Sequence, residues 1–216
     1  MSTPRVIRPE LLDDADPAEA RPSLEDLTRI NKYLGGYRVL RQLMAQVAAP
    51  DEHFTVLDVG AASGDMGREI RLAYPGAQVT AFDYKLEHLT PAAFPKVAGN
   101  AFHLPFKPRS FDIVFSSLFL HHFCDGQVTE LLSAFGVVAR RAVCAIDLDR
   151  GPFSYHFIPA TRWLFGWHPI TLHDAPASVA AGFKRGELEA LAKAAGLREP
   201  RVAVHRPWGR LSLISR

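Results

Sequence analysis

Two aspartates at the ends of apolar runs are the residues of this chain best placed to bind a ligand. Asp58 follows the run 54–57, and Asp83 follows the run 78–82, about 25 residues further along. In a βαβ unit, this spacing places both carboxylates at one edge of a parallel sheet, where the second can accept hydrogen bonds from a ribose diol. The pattern predicts a site for a nucleoside-type cofactor.

The segment after Asp58 predicts a tight turn whose backbone a ligand can approach. Gly60, Ala62 and Gly64 carry little or no side chain there. A dinucleotide fingerprint would need glycine where Asp65 stands, and a carboxylate at the start of a helix would repel a pyrophosphate. We expect Asp65 to cap that helix instead. No Gly-Lys-Ser/Thr follows, which excludes a Walker loop, and two carboxylates beside an uncharged turn favour a cationic ligand.

Histidines supply the candidate acid–base groups. His121 and His122 follow the fourth predicted strand, at the sheet edge where the aspartates also lie, so one of them could act as a general base. The alternative is that they only line the cofactor pocket or position the next helix. The neighbouring residues His173 and Asp174 form a further candidate pair, and His156 is another candidate.

Strands and helices alternate along most of the chain, which predicts a doubly wound α/β fold with a mainly parallel sheet. The ends of the first and fourth strands should meet at the switch point of that sheet, where a ligand site is expected. The predicted strands are 54–59, 78–82, 96–99, 111–116, 142–147, 201–205 and 210–215, and the predicted helices are 65–74, 85–91, 125–139 and 184–196.

The two ends of this core carry additional segments. Residues 1–21 predict an extended arm, and the helical pattern that starts at Ser23 is interrupted at Gly35 and Gly36. We therefore divide the chain into an N-terminal arm with helices at 1–53, interpreted as a lid, and a main domain at 54–216. The aromatic-rich insert at about 151–183 is interpreted as a cap over an apolar acceptor or as the ordinary core of a helical subdomain.

Four motifs in order resemble those of the class I S-adenosylmethionine (SAM)-dependent methyltransferases. The acidic residue and G-x-G-x-G appear here as Asp58, Gly60, Ala62 and Gly64. The segments 99–106, 110–115 and 120–123 are similar to the G-D-A-x-x-L-P-F, S-F-D-x-V and L-H-H series of the type 11, or ubiquinone/menaquinone-methyltransferase-like, branch. Together the motifs cover about residues 54–147.

The resemblance implies a fold, a cofactor and a set of binding residues. The fold would be a Rossmann-like seven-stranded sheet with an antiparallel last strand and a small helical cap. The cofactor would be SAM and its product S-adenosylhomocysteine. The residues expected to bind it are Asp58, Gly60, Ala62, Gly64, Asp83, Tyr84, Asn100, Ala101 and Ser116.

The predicted activity is methyl transfer to a small molecule, on a hydroxyl of a phenolic or polyketide-like compound. The segment 115–118 lacks the N/D-P-P-Y/F loop that enzymes methylating exocyclic amines use, which argues against that reaction. Methylation of carbon in a quinone-type ring, a non-catalytic SAM-binding protein and an NAD-dependent oxidoreductase are the alternatives.

Composition restricts the partners. The 216 residues suit one domain, and a net charge of +2 is too small to indicate nucleic acid. No apolar run is long enough to span a membrane, and the acidic start is unlike a signal peptide. Cys124 and Cys144 lack the spacing of metal ligands, so no metal site and a cytoplasmic location are expected. A monomer or a homodimer is compatible with the sequence.

Overall fold

A seven-stranded sheet carries the residues that the sequence singles out. The computed structural model describes residues 4–216. The strands lie in the order β3-β2-β1-β4-β5-β7-β6. In chain order they are β1 (Phe54–Val59), β2 (Ala77–Asp83), β3 (Lys96–Ala98), β4 (Phe111–Ser117), β5 (Ala139–Leu148), β6 (Arg201–His205) and β7 (Arg210–Ser215).

The sheet is mainly parallel. Strands β3, β2, β1, β4 and β5 pair in parallel, whereas β7 runs antiparallel to both β5 and β6. Val59 near the end of β1 lies beside Phe82 of β2 on one side and Ser116 of β4 on the other. The carboxyl ends of these three strands therefore meet where the strand order reverses, which is where open α/β sheets bind ligands. This architecture confirms the predicted Rossmann-like fold with an antiparallel last strand.

Helices cover both faces of the sheet, and apolar side chains alternate between them. Val56 and Phe115 belong to the core under α3 and α4, whereas Leu57 and Val114 belong to the core under α5 and α9. In chain order the helices are α1 (Leu11–Asp14), α2 (Pro17–Tyr33), α3 (Gly36–Met44), α4 (Asp65–Ala73), α5 (Asp125–Val138), α6 (Pro152–Ala160), α7 (Arg162–Phe165), α8 (Pro169–Ala181) and α9 (Arg185–Ala194), with short 3₁₀ turns at Ala101–His103 and Leu120–His122.

Two expectations about local structure are wrong. Residues 86–91 form consecutive turns with i→i+3 hydrogen bonds in place of the predicted helix 85–91, because only a few residues separate Asp83 from Pro91. The predicted arm 1–21 contains α1 and the first turn of α2. Asp16 caps α2 by accepting hydrogen bonds from two backbone N–H groups, and Pro17 occupies the first helical position, so the helix begins before Ser23.

The start of the chain packs against the insert. The carboxylate of Asp174 in α8 accepts the backbone N–H groups of Leu11 and Leu12 at 2.9 and 3.0 Å. The Arg5 guanidinium donates to the Asp125 carboxylate at 2.5 Å and lies 4.0 Å from the centre of the Phe183 ring. These contacts hold the arm across the carboxyl edge of the sheet. Within residues 4–216, no helix is both long enough and apolar enough to cross a membrane.

Candidate active site

A cavity of about 860 Å³ opens at the carboxyl ends of β1, β2, β4 and β5. Its floor is the turn after β1, and its walls come from the N-terminal segment, from α2, from the insert and from the turn between β6 and β7. A cavity of this size accommodates a cofactor together with a small ligand. The fold thus gathers residues from the whole length of the chain around one space.

Asp58, at the end of β1, is a buried carboxyl group with unsatisfied bonding capacity. Its side chain is 1% exposed. Its Oδ2 atom has no hydrogen-bond partner among residues 4–216. Burial raises the pKa of Asp58 to about 8, and the neighbouring carboxylates of Asp65 and Asp83 add to that shift. A cationic ligand in the cavity would relieve both effects.

Asp83, at the end of β2, stabilises the turn and faces the cavity. Its Oδ2 atom accepts the N–H of Ala62 at 2.9 Å, and its Oδ1 atom accepts the N–H of Lys85 at 3.1 Å. An ionised carboxylate has about four acceptor sites, so it can accept further hydrogen bonds from a ligand hydroxyl.

The turn between the aspartates needs small residues. Gly60 has a φ of +70°, and a Cβ atom there would lie 2.4 Å from the Phe119 ring. Ala62 also adopts a positive φ, of 45°, in the region that glycine usually occupies. These conformations bring the backbone to the cavity surface, as the spacing of small residues predicts.

The cavity includes five of the nine residues predicted to bind the cofactor. Asp58, Gly60, Ala62, Asp83 and Tyr84 line it.

The other four lie outside its lining, each with another local role. Gly64 is the N-cap of α4 in the left-handed conformation. The Asn100 side chain caps the 3₁₀ turn that contains Ala101, by accepting the N–H of Phe102 at 3.0 Å. Ser116 is buried within β4. Their contact with a cofactor stays a prediction.

His121 and His122 both line the cavity. His121 is 3% exposed, and its Nδ1 atom donates to Asp147 Oδ1 at 2.7 Å. Burial alone would lower the pKa of His121, but the carboxylates of Asp147 and Glu10 outweigh it and raise that pKa to about 9. The two imidazole rings stack, with centroids 4.4 Å apart.

Acidic residues of the N-terminal segment complete this part of the cavity. Glu10 Oε1 lies 3.6 Å from His121 Nε2, and Asp13 Oδ2 lies 3.7 Å from His122 Nδ1. Burial raises the pKa of Glu10, but the nearby imidazoles of His121 and His122 oppose that effect, so the pKa is lowered overall. Sequence reasoning missed both acids, because more than 100 positions separate them from the histidines and nothing local indicates the contact.

A buried arginine is a further residue of the cavity that the sequence did not reveal. Arg210, at the start of β7, lines the cavity and is 3% exposed. One of its nitrogens donates to Asn31 Oδ1 at 3.3 Å, and Asn31 in turn donates to Asp65 at 3.0 Å. Its Nε and Nη1 atoms have no hydrogen-bond partner among residues 4–216. The prediction that Asp65 caps α4 is therefore wrong. Gly64 is the N-cap, and Asp65 is the first residue of the helix, where its side chain binds Asn31.

The rest of the cavity wall is apolar. Phe153, Phe157 and Ile158 of α6 line it together with Trp208 and apolar side chains of α2. Part of the aromatic insert thus lies beside the cavity, while Ile158 and Trp167 also form a buried cluster with Ile30, so both interpretations of the insert stay predictions.

The weaker histidine candidates lie away from the cavity. The His173 ring contacts Asp174 at 2.8 Å but is 55% exposed, and His156 is on the surface of α6.

The antiparallel β7 beside a parallel sheet gives the chain the Rossmann-like fold of the class I SAM-dependent methyltransferases. Residues 57–146 match the family model described as "Methyltransferase domain". The matched segment, which is less than half of the chain, is therefore similar to a methyltransferase domain. The match does not distinguish the ubiquinone/menaquinone-like branch, which stays a prediction.

Solved structures share the fold at low sequence identity. A SAM-dependent methyltransferase from Aquifex aeolicus is 17% identical, with a TM-score of 0.63 over 93% of this chain and 98% of that one. Human N-acetylserotonin methyltransferase, solved in complex with SAM, is 19% identical, with a TM-score of 0.64 over 89% and 54% of the two chains. The CurJ carbon methyltransferase is 11% identical, with a TM-score of 0.67 over 94% and 61%.

Several matching structures are longer than this chain, which spans 54–66% of their length. No protein of curated function matches the sequence. The likeness to solved structures therefore establishes the fold, and the acceptor has to be argued from the cavity itself.

Proposed function

We propose that this protein transfers the methyl group of SAM to a hydroxyl of a small, largely apolar molecule. The observation that carries the proposal is the layout of the cavity. Asp58 and Asp83 line it at the ends of β1 and β2, the imidazoles of His121 and His122 line it after β4, and aromatic side chains of α6 line it as well. One space thus offers both a polar cofactor site and an acceptor site.

The polar end matches the functional groups of SAM. The unpartnered oxygen of Asp58 would accept the α-ammonium group, and the free nitrogens of Arg210 would donate to the α-carboxylate. Asp65 lies within electrostatic reach of both side chains, which supports their being neighbours in the cavity. Asp83 would accept the ribose hydroxyls, while the turn at Gly60 and Ala62 admits the ligand against the backbone.

The reaction itself needs positioning above all. A lone pair on the acceptor oxygen attacks the methyl carbon as the carbon–sulfur bond breaks, and the bond's electron pair returns to sulfur. The products are a methyl ether, S-adenosylhomocysteine and one proton. Because the sulfonium is already an activated leaving group, holding oxygen, carbon and sulfur in line can supply much of the rate enhancement.

The acceptor follows from the wall that faces the histidines. Phe153, Phe157 and Trp208 favour a flat or apolar molecule, and the buried polar groups nearby would bind its hydroxyl. His121 and His122 are the candidate catalytic residues, since both imidazoles line the cavity directly after β4. A base or a positive charge there would favour the ionised acceptor oxygen.

Calorimetry and product analysis test the proposal. We expect S-adenosylhomocysteine to bind with one site per chain and NAD not to bind. Transfer of labelled methyl from SAM to a panel of phenols and hydroxylated polyketides, read by mass spectrometry, should give methyl ethers. Tight cofactor binding without any product would favour a non-catalytic SAM-binding protein, and products methylated on carbon would establish the quinone-type alternative. Binding of NAD in preference to S-adenosylhomocysteine would refute the assignment.

A further inference from the structure

Three metal-ligating side chains converge at the edge of the cavity. Glu10 comes from the N-terminal segment, and His121 and His122 come from the 3₁₀ turn after β4. One ligand atom from each lies within 4.8 Å of the others, which makes this the sole such group of three in residues 4–216. Glu10 and His121 are buried, whereas His122 is partly open to the cavity.

The separation of Glu10 and His121 suits a shared cation better than a direct hydrogen bond. The distance from Glu10 Oε1 to His121 Nε2 is 3.6 Å, which is beyond the range of a normal hydrogen bond. Two ligand atoms bound at about 2.0–2.1 Å to a tetrahedral Zn²⁺ lie about 3.4 Å apart. The two side chains are therefore already near the spacing that coordination requires.

Outer-shell hydrogen bonds orient these ligands as they do in metal sites. The Asp147 carboxylate accepts the Nδ1–H of His121 at 2.7 Å, which orients the ring so that Nε2 is the atom nearest Glu10. Asp147 is itself held by the backbone N–H groups of Leu120 and Leu148, at 3.0 and 2.8 Å. Glu10 accepts a hydrogen bond from the Ser178 hydroxyl at 2.5 Å. A carboxylate–histidine pair of this kind is a frequent companion of zinc ligation.

We propose that Glu10, His121 and His122 bind one divalent transition-metal cation of the zinc type. Two imidazole nitrogens and one carboxylate oxygen favour Zn²⁺ or its neighbours over Mg²⁺ and Ca²⁺, which prefer oxygen ligands. Three protein ligands leave a coordination position open, as in catalytic zinc sites, and all three side chains line the cavity.

The open position gives the cation a role in the reaction proposed above, and this role rests on that proposed function. A hydroxyl bound there would lose its proton to solvent more readily, because the cation stabilises the oxyanion. The oxygen would retain a lone pair for attack on the methyl carbon. The metal would also tie the N-terminal segment to the sheet, since Glu10 belongs to that segment.

Metal binding to the whole protein tests the site. After treatment with a chelator, the protein is titrated with ZnCl₂ by calorimetry, and Co²⁺ is added separately to follow its visible absorption bands. We expect one ion per chain. Because loss of even an outer-shell partner typically weakens metal affinity 10–100-fold, Glu10→Gln and His122→Gln should each weaken it by about 100-fold or more. The matched control is His173→Gln, which removes another histidine beside a carboxylate and should leave the affinity unchanged.

The outcomes separate this proposal from the proposed function. Thermal melting and S-adenosylhomocysteine binding are measured on every variant to show that it is folded. If the wild type binds the nucleoside but neither Zn²⁺ nor Co²⁺, the three side chains only form ion pairs between the N-terminal segment and the sheet. The metal proposal then fails, and the proposed function stands. Equal Zn²⁺ affinity in the wild type and both cluster variants would also overturn it. If the cation binds but the nucleoside does not, the methyltransferase proposal fails and the metal site stands.

Discussion

Replacing Asp58 by asparagine should weaken cofactor binding while stabilising the ligand-free protein. The carboxyl group of Asp58 is buried near two other carboxylates, and no cationic side chain among residues 4–216 bonds to it. Its pKa rises from 3.8 to about 8 in the folded chain. When folding raises the pKa of a carboxyl group, the free energy of unfolding falls as the pH increases from the pKa in the unfolded chain to the pKa in the folded chain.

The magnitude follows from that shift. One pKa unit corresponds to about 1.36 kcal/mol, so the ionisable group at Asp58 destabilises the empty site by about 5 kcal/mol at pH 8. Asparagine removes this cost but leaves a buried amide that is incompletely bonded, which costs about 1–3 kcal/mol. We therefore expect a net gain of about 2–4 kcal/mol at pH 8, or roughly 5–15 °C in Tm for a chain of this size. Near pH 5 the gain should be close to zero.

Cofactor binding should show the opposite pH dependence. Below pH 8, an ammonium group that pairs with Asp58 must displace a proton, so the affinity for S-adenosylhomocysteine should rise about tenfold per pH unit from 6 to 8. Calorimetry in buffers of different ionisation enthalpy would detect the released proton. In Asp58→Asn this pH dependence disappears, and the affinity at pH 8 falls by about 10–150-fold, the value of a charge-assisted hydrogen bond.

Asp112→Asn is the matched control for this experiment. Asp112 lies near the opposite end of the sheet, and its pKa is lowered: burial opposes that shift, but hydrogen bonds from Thr55 and Arg140 outweigh it. Its replacement should lower stability and leave cofactor affinity unchanged. The stability gained by Asp58→Asn over the wild type should be larger at pH 8 than at pH 5. An equal gain at both pH values would refute the electrostatic reasoning. Unchanged affinity would remove Asp58 from the cofactor site.

Three further substitutions test other parts of the cavity. Ala62→Gly should raise the free energy of unfolding by about 0.5–1 kcal/mol in urea titrations, because it relieves a positive φ. Ala61→Gly, at a position without a positive φ, should lower that free energy, and a loss at both positions would contradict this account. Arg210→Met should weaken S-adenosylhomocysteine binding by about 10–150-fold in calorimetry, and unchanged affinity would show that Arg210 does not hold the carboxylate. Phe153→Ala should raise the acceptor KM about tenfold without altering cofactor affinity, while the exposed Trp163→Ala should change neither; equal KM values would exclude α6 from the acceptor wall.

The core of the fold was predictable because its signals are local. A strand that is buried on both faces appears as a short apolar run, and a turn that needs small residues appears as Gly60-Ala-Ala62, so strand order and the cofactor edge follow from general rules of α/β sheets. The wrong helix at 85–91 shows the limit of this reasoning. Residues 86–91 have a composition that suits a helix, but they form turns because only a few residues separate Asp83 from Pro91.

The N-terminal boundary was predictable in principle. Asp16 and Pro17 carry an ordinary helix-start signal, but the Pro- and Asp-rich composition of the surrounding segment favoured an extended arm. A local cap outweighs average composition, because it satisfies particular backbone N–H groups.

The groups that give the cavity its chemistry depend on long-range contacts. Glu10 meets His121 across 111 positions of the chain, and Arg210 reaches Asn31 across 179. Neither pair has a spacing that matches a sequence motif or a helix or strand period. Each contact forms only when the N-terminal segment and the last strand fold onto the same edge of the sheet. Local patterns thus predicted the sheet and the two aspartates that line its cavity. Tertiary packing alone placed an acid beside His121 and an arginine in the same cavity, since side chains distant in sequence become neighbours only through the folded backbone.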